Sequence, residues 1–342
     1  MANLTQTAIF SKKAVGWIIA GLIILVSLIV FLGLGKTLKN LVSPAKVAPA
    51  TVAFGKLPRM DTSEGIKPPR SITYSIETIS GDLLQLPEVA KVFGVAVREP
   101  TFGDLEKYKE MASRAGFDQE PTEITGSLVK FANRERNDRV LIIDRLTGNF
   151  KLESKYATDM QIISTRPQSI DSAITKASDF FRNLDINLQE FPPEKIQIRK
   201  LRIDGTNLTE TQSLINANLI EVNYSRGNLD KSPVIWPRND AAGVSALIAE
   251  STVVAATFNV SAVQKYRFAS YPLKGTARAF EELKAGLGIF NEELSGNNFS
   301  IIEITLGYVE SIKYSFLQPV YFFKGVDNII AYVPAVDEAW IE

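Results

Sequence analysis

The stretch AVGWIIAGLIILVSLIVFLGLG, residues 14–35, is apolar throughout except for Ser27. A helix of about 20 apolar residues is long enough to cross the hydrocarbon core of a bilayer, which is roughly 30 Å thick. The stretch directly follows Lys12-Lys13, and the rest of the chain has an ordinary mixed composition. The sequence therefore predicts one transmembrane helix over residues 14–35 and a large folded part after it.

Two alternative interpretations of residues 14–35 fit less well. A cleaved signal peptide has an apolar region of about 7–15 residues, closely followed by a small-x-small cleavage site. The nearest such pattern here, Ala48-Pro49-Ala50, lies well beyond the apolar stretch. A helix of the protein core rarely lacks polar side chains over so many turns. We therefore expect an anchor that is not cleaved.

The orientation of this anchor is inferred from the segments on either side of it. Lysines flank both ends, so the positive-inside count alone does not decide. A short tail with a lysine pair, followed by a long domain, favours a cytoplasmic N-terminus. We expect residues 1–13 to be a cytoplasmic tail, residues 14–35 to contact the lipid bilayer of the cell membrane, and the domain to be extracytoplasmic. Within the anchor, Gly16 and Ala20 form a small-xxx-small pair that would let two such helices pack closely.

Residues 36–70 have the composition of a linker. They contain five prolines together with Gly55, Gly65 and several small polar residues, and they show no helical or strand periodicity. Proline-rich segments are extended and semi-rigid. The sequence therefore predicts that this linker holds the following domain away from the membrane.

Composition limits the chemistry that the chain can perform. Its 342 residues include no Cys and no His, and 38 basic residues balance 38 acidic ones. Ser-His-Asp and Cys-His hydrolases, HExxH zinc peptidases and most zinc or iron sites are therefore excluded. Balanced charge argues against a nucleic-acid partner, which normally requires a basic face. Four classes of function are compatible with this composition: carboxylate chemistry, Ser-Lys chemistry, cation binding by oxygens, and binding without catalysis.

Residues 71–166 predict one module of strands and a helix. Asp104 is expected to begin, and Gly116 to end, a helix with a regular apolar face. A hairpin turn is predicted at Leu146-Thr147-Gly148. Strand-like patterns cover residues 72–76, 90–97, 123–131, 139–145 and 149–155.

Residues 167–342 predict a second module of the same class. A helix is expected over residues 169–184, and a shorter helix over residues 276–285 would end at Gly286. Strands are predicted over residues 195–203, 217–224, 245–259, 260–269, 300–314, 318–323 and 329–336. The fold class expected is α+β, with antiparallel sheets that are each packed by a helix. Because strand, helix ending in Gly and hairpin strands follow each other in both modules, an internal duplication is expected.

Several segments near the C-terminus resemble one family. They are AFEELKAGLG (279–288), ITLGY (304–308), QPVYFF (318–323) and YVPAV (332–336). Together they are similar to the final unit of membrane-anchored bacterial regulators of the YycH/YycI type. The resemblance implies one N-terminal span and extracytoplasmic PepSY-like repeats, each a small antiparallel sheet packed by a helix. It further implies a protein that modulates a sensor kinase through its anchor and domain.

Two patterns that could support catalysis have ordinary explanations. Ser-x-x-Lys occurs at Ser43/Lys46 in the linker and at Ser127/Lys130 in a predicted strand, where positions i and i+3 point to opposite faces. The densest acidic group could supply the two carboxylates of a glycosidase-like site, but a solvated surface is the usual reason for such a group. It consists of Glu281, Glu282, Glu292 and Glu293. The sequence therefore assigns no catalytic residue, no cofactor and no metal site.

Aromatic residues offer a candidate partner-binding surface. Trp236 lies between two prolines in SPVIWP (232–237), which predicts a loop or a sheet edge. With Tyr266, Phe268 and Tyr271 it could line a groove for a peptide or a glycan, although aromatic side chains in sheet proteins more often belong to the core. Trp236 and Tyr271 are the residues we expect at such a surface.

Three functions fit these observations. The favoured one is a non-enzymatic, single-pass protein of the bacterial cell envelope whose outward domain binds another envelope protein. The anchor, the linker, the lack of His and Cys, and sheet edges able to pair with a partner strand support it. The alternatives are an envelope hydrolase that uses paired carboxylates, and a PepSY-like peptidase inhibitor or chaperone.

Overall fold

The computed structural model describes residues 49–69, 71–96, 99, 101, 103–134 and 138–342. The predicted tail and anchor, with Gly16 and Ala20, and the first part of the predicted linker lie outside the described residues. Among the described helices, none is long and apolar enough to cross a membrane. Residues 50–342 form one compact unit.

Strands dominate the described part of the chain, and the α+β class is confirmed. In chain order the strands are β1 (Thr73–Ile76), β2 (Val89–Val95), β3 (Thr122–Thr125), β4 (Leu128–Ala132), β5 (Val140–Asp144), β6 (Phe150–Glu153), β7 (Ile196–Asp204), β8 (Asn207–Glu210), β9 (Leu219–Tyr224), β10 (Val234–Ile235), β11 (Val244–Ala249), β12 (Thr252–Phe258), β13 (Val263–Pro272), β14 (Ile289–Phe290), β15 (Asn298–Ile301), β16 (Glu303–Val309), β17 (Phe316–Leu317), β18 (Pro319–Lys324) and β19 (Ile330–Pro334). The helices are α1 (Asp104–Arg114), α2 (Met160–Ser164), α3 (Ile170–Asn183) and α4 (Thr276–Glu282).

The α3 helix forms where its sequence predicts it. The Ser169 hydroxyl accepts a hydrogen bond from the Ser172 amide at 3.1 Å, which satisfies one of the free amides of the first turn. Alanines and phenylalanines recur on one face of the helix and are buried against the sheet below it. The predicted bounds of 169–184 are correct to within one residue at each end.

Three runs that the sequence predicts as single strands are each two strands. Residues 123–131 divide at Gly126, which has a φ of +54°, and residues 245–259 divide at Glu250, which has a φ of +48°. Residues 300–314 divide at Ile302, where the chain passes from a pairing with β1 to a pairing with β18. The alternation of apolar residues continues through such points, so periodicity alone does not reveal them.

A nine-stranded antiparallel sheet is the largest sheet of the described chain. Its strand order is β3-β4-β5-β6-β12-β11-β9-β7-β8. The sheet is assembled from two segments, residues 104–153 and 170–258, each of which is a helix followed by antiparallel strands. The segments meet where β6 pairs with β12, with Phe150 opposite Phe258 and Leu152 opposite Ala256.

This sheet corrects the predicted division between residues 71–166 and 167–342. Strands from both sides of residue 166 share one sheet because β6 and β12 pair. Both α1 and α3 pack on the same face of it, whereas α4 packs beside β19 in another sheet. The two helix-and-strand segments that resemble each other in arrangement are therefore those of α1 and α3, and not those of α1 and α4 as the sequence predicts.

The main hydrophobic core lies between the nine-stranded sheet and its two helices. Phe181 of α3 is fully buried and contacts the rings of Phe150, Phe180, Tyr224 and Phe258, with ring centroids 5.5–6.4 Å apart. Such edge-on and tilted contacts add to the free energy of burial. This aromatic cluster joins the two segments because Phe150 belongs to the first and Tyr224 and Phe258 to the second.

A second part of the unit contains the C-terminal strands together with residues 50–95. Its sheets are β10-β16-β18-β19-β14, β13-β2-β17 and the parallel pair β1-β15. Leu57 is fully buried and forms a bridge to Ile341, and Met60 is also buried. The structure therefore corrects the linker prediction for residues 50–69, because these residues pack on the domain.

A buried ion pair joins the two parts. Arg226, which follows β9, and Glu310, which follows β16, have side chains that are 3 % and 1 % exposed. Arg226 donates from Nε to Oε2 at 2.9 Å and from Nη2 to Oε1 at 2.8 Å. The pair is completed by Ser261, whose amide donates to Glu310 and whose carbonyl accepts from Arg226, and by Glu190. Charges buried in this way are tolerated because every partner is itself hydrogen-bonded.

Removing one member of this pair should be more harmful than removing both. Glu310→Leu leaves the buried Arg226 without its main partner and should lower the free energy of unfolding by about 3–5 kcal/mol. The double variant Arg226→Met/Glu310→Leu should recover a large part of that loss. Urea denaturation of the full-length chain, monitored by tryptophan fluorescence, measures the stability of both variants. A double variant as unstable as the single one would contradict the interpretation.

The same cluster should make the free energy of unfolding sensitive to acid. Partial burial would raise the pKa of Glu190, but hydrogen bonds and charge from Lys265 and Arg226 hold it below its ordinary value of 4.5. A carboxyl whose pKa is lower in the folded state stabilises the fold above its unfolded pKa, and this contribution is lost as the pH falls. The unfolding free energy of the wild type should therefore fall more steeply below about pH 5 than that of Glu190→Gln. Equal slopes in urea titrations would contradict this.

Candidate functional site

The structure places Trp236 and Tyr271 in the interior. Trp236 is 8 % exposed, donates from Nε1 to the Tyr224 carbonyl at 2.9 Å and lies against Gly243, where a Cβ would be 2.5 Å from the ring. Tyr271 is fully buried, and its hydroxyl donates to the Gly55 carbonyl at 2.8 Å. The prediction that these two residues form a partner-binding surface is therefore corrected. Trp236 follows β10, whose pairing with β16 folds this loop inward.

The other two aromatic residues of that prediction are on the surface. Tyr266 is fully exposed and Phe268 is 45 % exposed, and both belong to β13. The four aromatic residues are thus not brought together into one groove.

The patterns considered for catalysis are not assembled either. Ser127 lies in the turn between β3 and β4 and Lys130 lies within β4, while Ser43 and Lys46 lie outside the described residues. The acidic group is divided, since Glu281 and Glu282 belong to α4 and pair with Lys284 and Lys274. Within the described ranges, no group of three or more His, Cys, Asp or Glu is placed to hold a metal ion.

Part of β7, inside the nine-stranded sheet, has backbone that is open on one side. This strand has nine residues, but β8 pairs only with residues 201–204 of it. On its other side, β9 pairs with residues 196–201. Residues 196–200 therefore have a strand on one side only, and a single hydrogen bond, from the Thr211 amide to the Lys200 carbonyl at 2.8 Å, lies on the other side.

Alternation along the strand identifies the free groups. Because the Lys200 carbonyl faces β8 and the Leu201 carbonyl faces β9, even-numbered residues direct their backbone groups away from β9. The Ile196 amide donates to the Pro193 carbonyl. The Ile196 carbonyl and both the amide and the carbonyl of Ile198 consequently face open space, in line with β8. This segment is called the free edge of β7 below.

Two clefts flank the free edge and meet at Gln197. The apolar cleft has a volume of about 500 Å³ and is lined by Glu194, Lys195, Ile196, Gln197, Ser225, Pro233, Val234, Ile235, Ile302, Glu303, Phe322, Lys324, Gly325, Asn328 and Ile330. The charged cleft has a volume of about 470 Å³ and is lined by Ile66, Gln197, Arg199, Glu210, Arg238, Asn239, Asp240, Asn291, Glu292 and Glu293. Each cleft is bounded by β7 on one side and by residues of the second part of the unit on the other.

Carboxylates outnumber cations in the charged cleft. Its two arginines are already paired: Arg199 donates to Glu210 at 3.1 Å and to Glu221 at 2.8 Å, and Arg238 donates to Asp240 through two bonds of 2.8 and 2.6 Å. Hydrogen bonds from Arg238 lower the pKa of Asp240, so this carboxylate stays ionised near neutral pH. Glu292 and Glu293 add two further acidic side chains. A basic or polar side chain would be favoured here.

The apolar cleft has a different character. Ile302 is 43 % exposed and faces it together with Ile235 and Ile330. Its lysines are engaged, since Lys195 donates to Asn228 at 2.7 Å and Lys324 lies 3.0 Å from Glu303. Burial lowers the pKa of Lys195. An apolar side chain would lose water-exposed surface here without displacing an ion pair.

Together these features suit an extended peptide segment. A strand that lies beside the free edge would bond to Ile198 and Ile196, and every second side chain of it would point to the face of β7 that carries Gln197 and both clefts. The sequence predicts the strand over 195–203 but not its neighbours, so this site is not apparent from the sequence. One feature of the sequence indicates the free edge. The turn after Asp204 is followed by only four strand residues, so half of β7 is left without a partner on that side.

Amide exchange tests the free edge directly. The Ile198 amide, which faces the cleft, should exchange roughly tenfold or more faster than the Arg199 amide, which faces β9. Hydrogen–deuterium exchange with residue resolution measures both in the same strand, so differences in overall stability cancel. Similar protection at the two positions would show that the edge is covered.

Comparisons with known proteins add no family to this description: no family model matches the chain, and neither curated proteins nor solved structures give a match. The resemblance to YycH/YycI-type regulators stays a prediction from the sequence.

Proposed function

We propose that this chain is a membrane-anchored protein of the cell envelope whose outward domain binds an extended segment of another protein. The single observation that carries the proposal is the free edge of β7, with the two clefts beside it. The anchor over residues 14–35 and the PepSY-like, duplicated arrangement are the parts of the proposal that come from the sequence.

Backbone pairing would supply the affinity, and the clefts would supply the selectivity. An added strand satisfies backbone groups that otherwise bond only to water, and it does so for almost any sequence. Selectivity then depends on alternate side chains. The apolar cleft favours a branched aliphatic residue and the charged cleft favours Lys or Arg, so the preferred segment carries an apolar and a basic residue two positions apart, on one face of the strand.

The alternatives from the sequence remain predictions. A carboxylate hydrolase would need two carboxylates facing one bond, and the charged cleft holds Glu210, Asp240, Glu292 and Glu293. Asp240 is held ionised by Arg238, which does not suit a general acid. An inhibitor or chaperone would also use strand addition, so it shares the free edge with the proposed function.

Defined peptides test the proposal without knowledge of the natural partner. Two labelled ten-residue peptides are titrated against the full-length chain in detergent. In both, Thr occupies every second position, and the positions between carry Val followed by Lys in one peptide and Val followed by Glu in the other. The lysine peptide should bind more tightly than the glutamate peptide and than a block-sequence control of the same composition. In Ile198→Pro, which removes the free amide, its binding should weaken by about tenfold or more.

A matched control separates this effect from damage to the fold. Leu208 lies opposite Ile203 in β8 and directs its amide outward, so Leu208→Pro removes a comparable edge amide outside the clefts. Because the chain lacks cysteine, Gln197→Cys also carries a photo-crosslinker at one site only. The peptide should crosslink at residue 197 and not at Leu208→Cys. Unchanged binding in Ile198→Pro, or crosslinking at 208 alone, would overturn the proposal.

A further inference from the structure

Strand β13 contains a protruding segment with basic and aromatic side chains. Its pairing with β2 passes from Gln264 opposite Gly94 directly to Phe268 opposite Phe93, so residues 265–267 extend out of the sheet. They are Lys265, Tyr266 and Arg267, and Tyr266 is fully exposed. Phe268 next to them is half exposed, so the segment presents two aromatic rings to solvent. Residues 265–268 are called the bulge below.

The N-terminal segment of the chain enters the compact unit beside this bulge. The Thr51 amide donates to the Ser270 hydroxyl at 2.9 Å, and the Val52 amide donates to the Ser270 carbonyl at 3.0 Å. The Phe54 ring lies 5.6 Å below the Arg267 guanidinium. Residues 51–54 thus lie alongside β13, and Phe54 lies next to the bulge.

The predicted anchor ends close to this point along the chain. Residue 35 and Ala50 are separated by residues 36–49, which reach at most about 50 Å when fully extended and less when relaxed. A short tether of this kind keeps the bulge at a high effective concentration near the bilayer surface. Even if the bulge binds the bilayer surface weakly, it would then be bound for much of the time.

The charge at the bulge is on balance positive. Lys265 pairs with Glu190 at 2.9 Å, and nearby Lys91 pairs with Asp230 at 2.9 Å. Among the described residues, Arg267 has no carboxylate partner; its guanidinium donates to Gln264 at 3.4 Å. An uncompensated arginine next to an exposed tyrosine is the combination found at membrane interfaces, where the ring lies among headgroups and the cation meets phosphate.

We propose that the bulge is a membrane-docking surface that rests on the headgroup layer of the anchoring bilayer, with Tyr266 among the headgroups and Arg267 on anionic phosphate. This inference depends on the anchor of the proposed function and not on the free edge of β7. Docking would hold the domain in one orientation and thereby present the clefts to partners in a fixed direction.

Site-specific quenching in a bilayer tests this surface. The cysteine-free full-length chain is labelled with an environment-sensitive fluorophore at Gln264→Cys, next to the bulge, or at Ile215→Cys, which is 81 % exposed in the short helical turn between β8 and β9. Both proteins are reconstituted into vesicles with about 30 % anionic lipid and a headgroup quencher. Quenching at residue 264 should be about twofold or more above that at residue 215. It should fall to the level at 215 in Tyr266→Ser/Arg267→Gln.

The outcomes separate docking from anchoring. A chain that sodium carbonate releases from the vesicles would contradict the anchor, and the docking proposal would fall with it. A retained chain whose labels at 264 and 215 are quenched equally would overturn docking alone. Quenching at residue 264 that persists in the double variant would also overturn docking. It would show that the tether alone holds residue 264 near the bilayer. An unchanged urea unfolding midpoint of the double variant confirms that its fold is intact.

Discussion

The bidentate contact between Arg226 and Glu310 is the interaction on which the arrangement of this domain depends. It joins the end of β9 in the nine-stranded sheet to the end of β16 in the five-stranded one, and both side chains are almost fully buried. Burying two charges is costly, and the cost is offset only if their geometry is kept. The pair therefore restricts the position of the two sheets relative to each other. That restriction fixes the walls of the apolar cleft, because β7 lies on one side of it and β16, β18 and β19 lie on the other.

The free edge of β7 is exposed because of a mismatch in strand length. A nine-residue strand is paired along only its last four residues by β8, since the chain turns away after Thr211. Proteins usually cover or shorten such edges because unpaired backbone invites association. Here the two clefts keep room beside the edge, and their walls differ in polarity. An edge beside which the polarity changes along one face is suited to a specific extended ligand rather than to indiscriminate pairing.

Local features of the fold could be predicted well from the sequence. The Ser169 cap and the spacing of Ala173, Ala177, Phe180 and Phe181 give the bounds of α3, and Gly116 ends α1 with a φ of +86°. Pairing between distant strands could not be predicted, because β6 and β12 are about a hundred residues apart and nothing local indicates their contact. The same limit applies to Trp236. Its flanking prolines indicate a loop, but only the packing of that loop on Gly243 shows that the ring is buried.

The sequence by itself determined which chemistry is possible: without His and Cys, the Ser-His-Asp and Cys-His hydrolases and most zinc or iron sites are excluded, and residues 14–35 are expected to span a membrane. It also determined the class of the domain, because caps, turns and periodicity act over a few residues. Only the tertiary structure decided which strands share a sheet, which aromatic residues are buried, and where backbone remains free to bind. These properties arise from contacts between residues that are distant along the chain, and their energies do not appear in any local pattern.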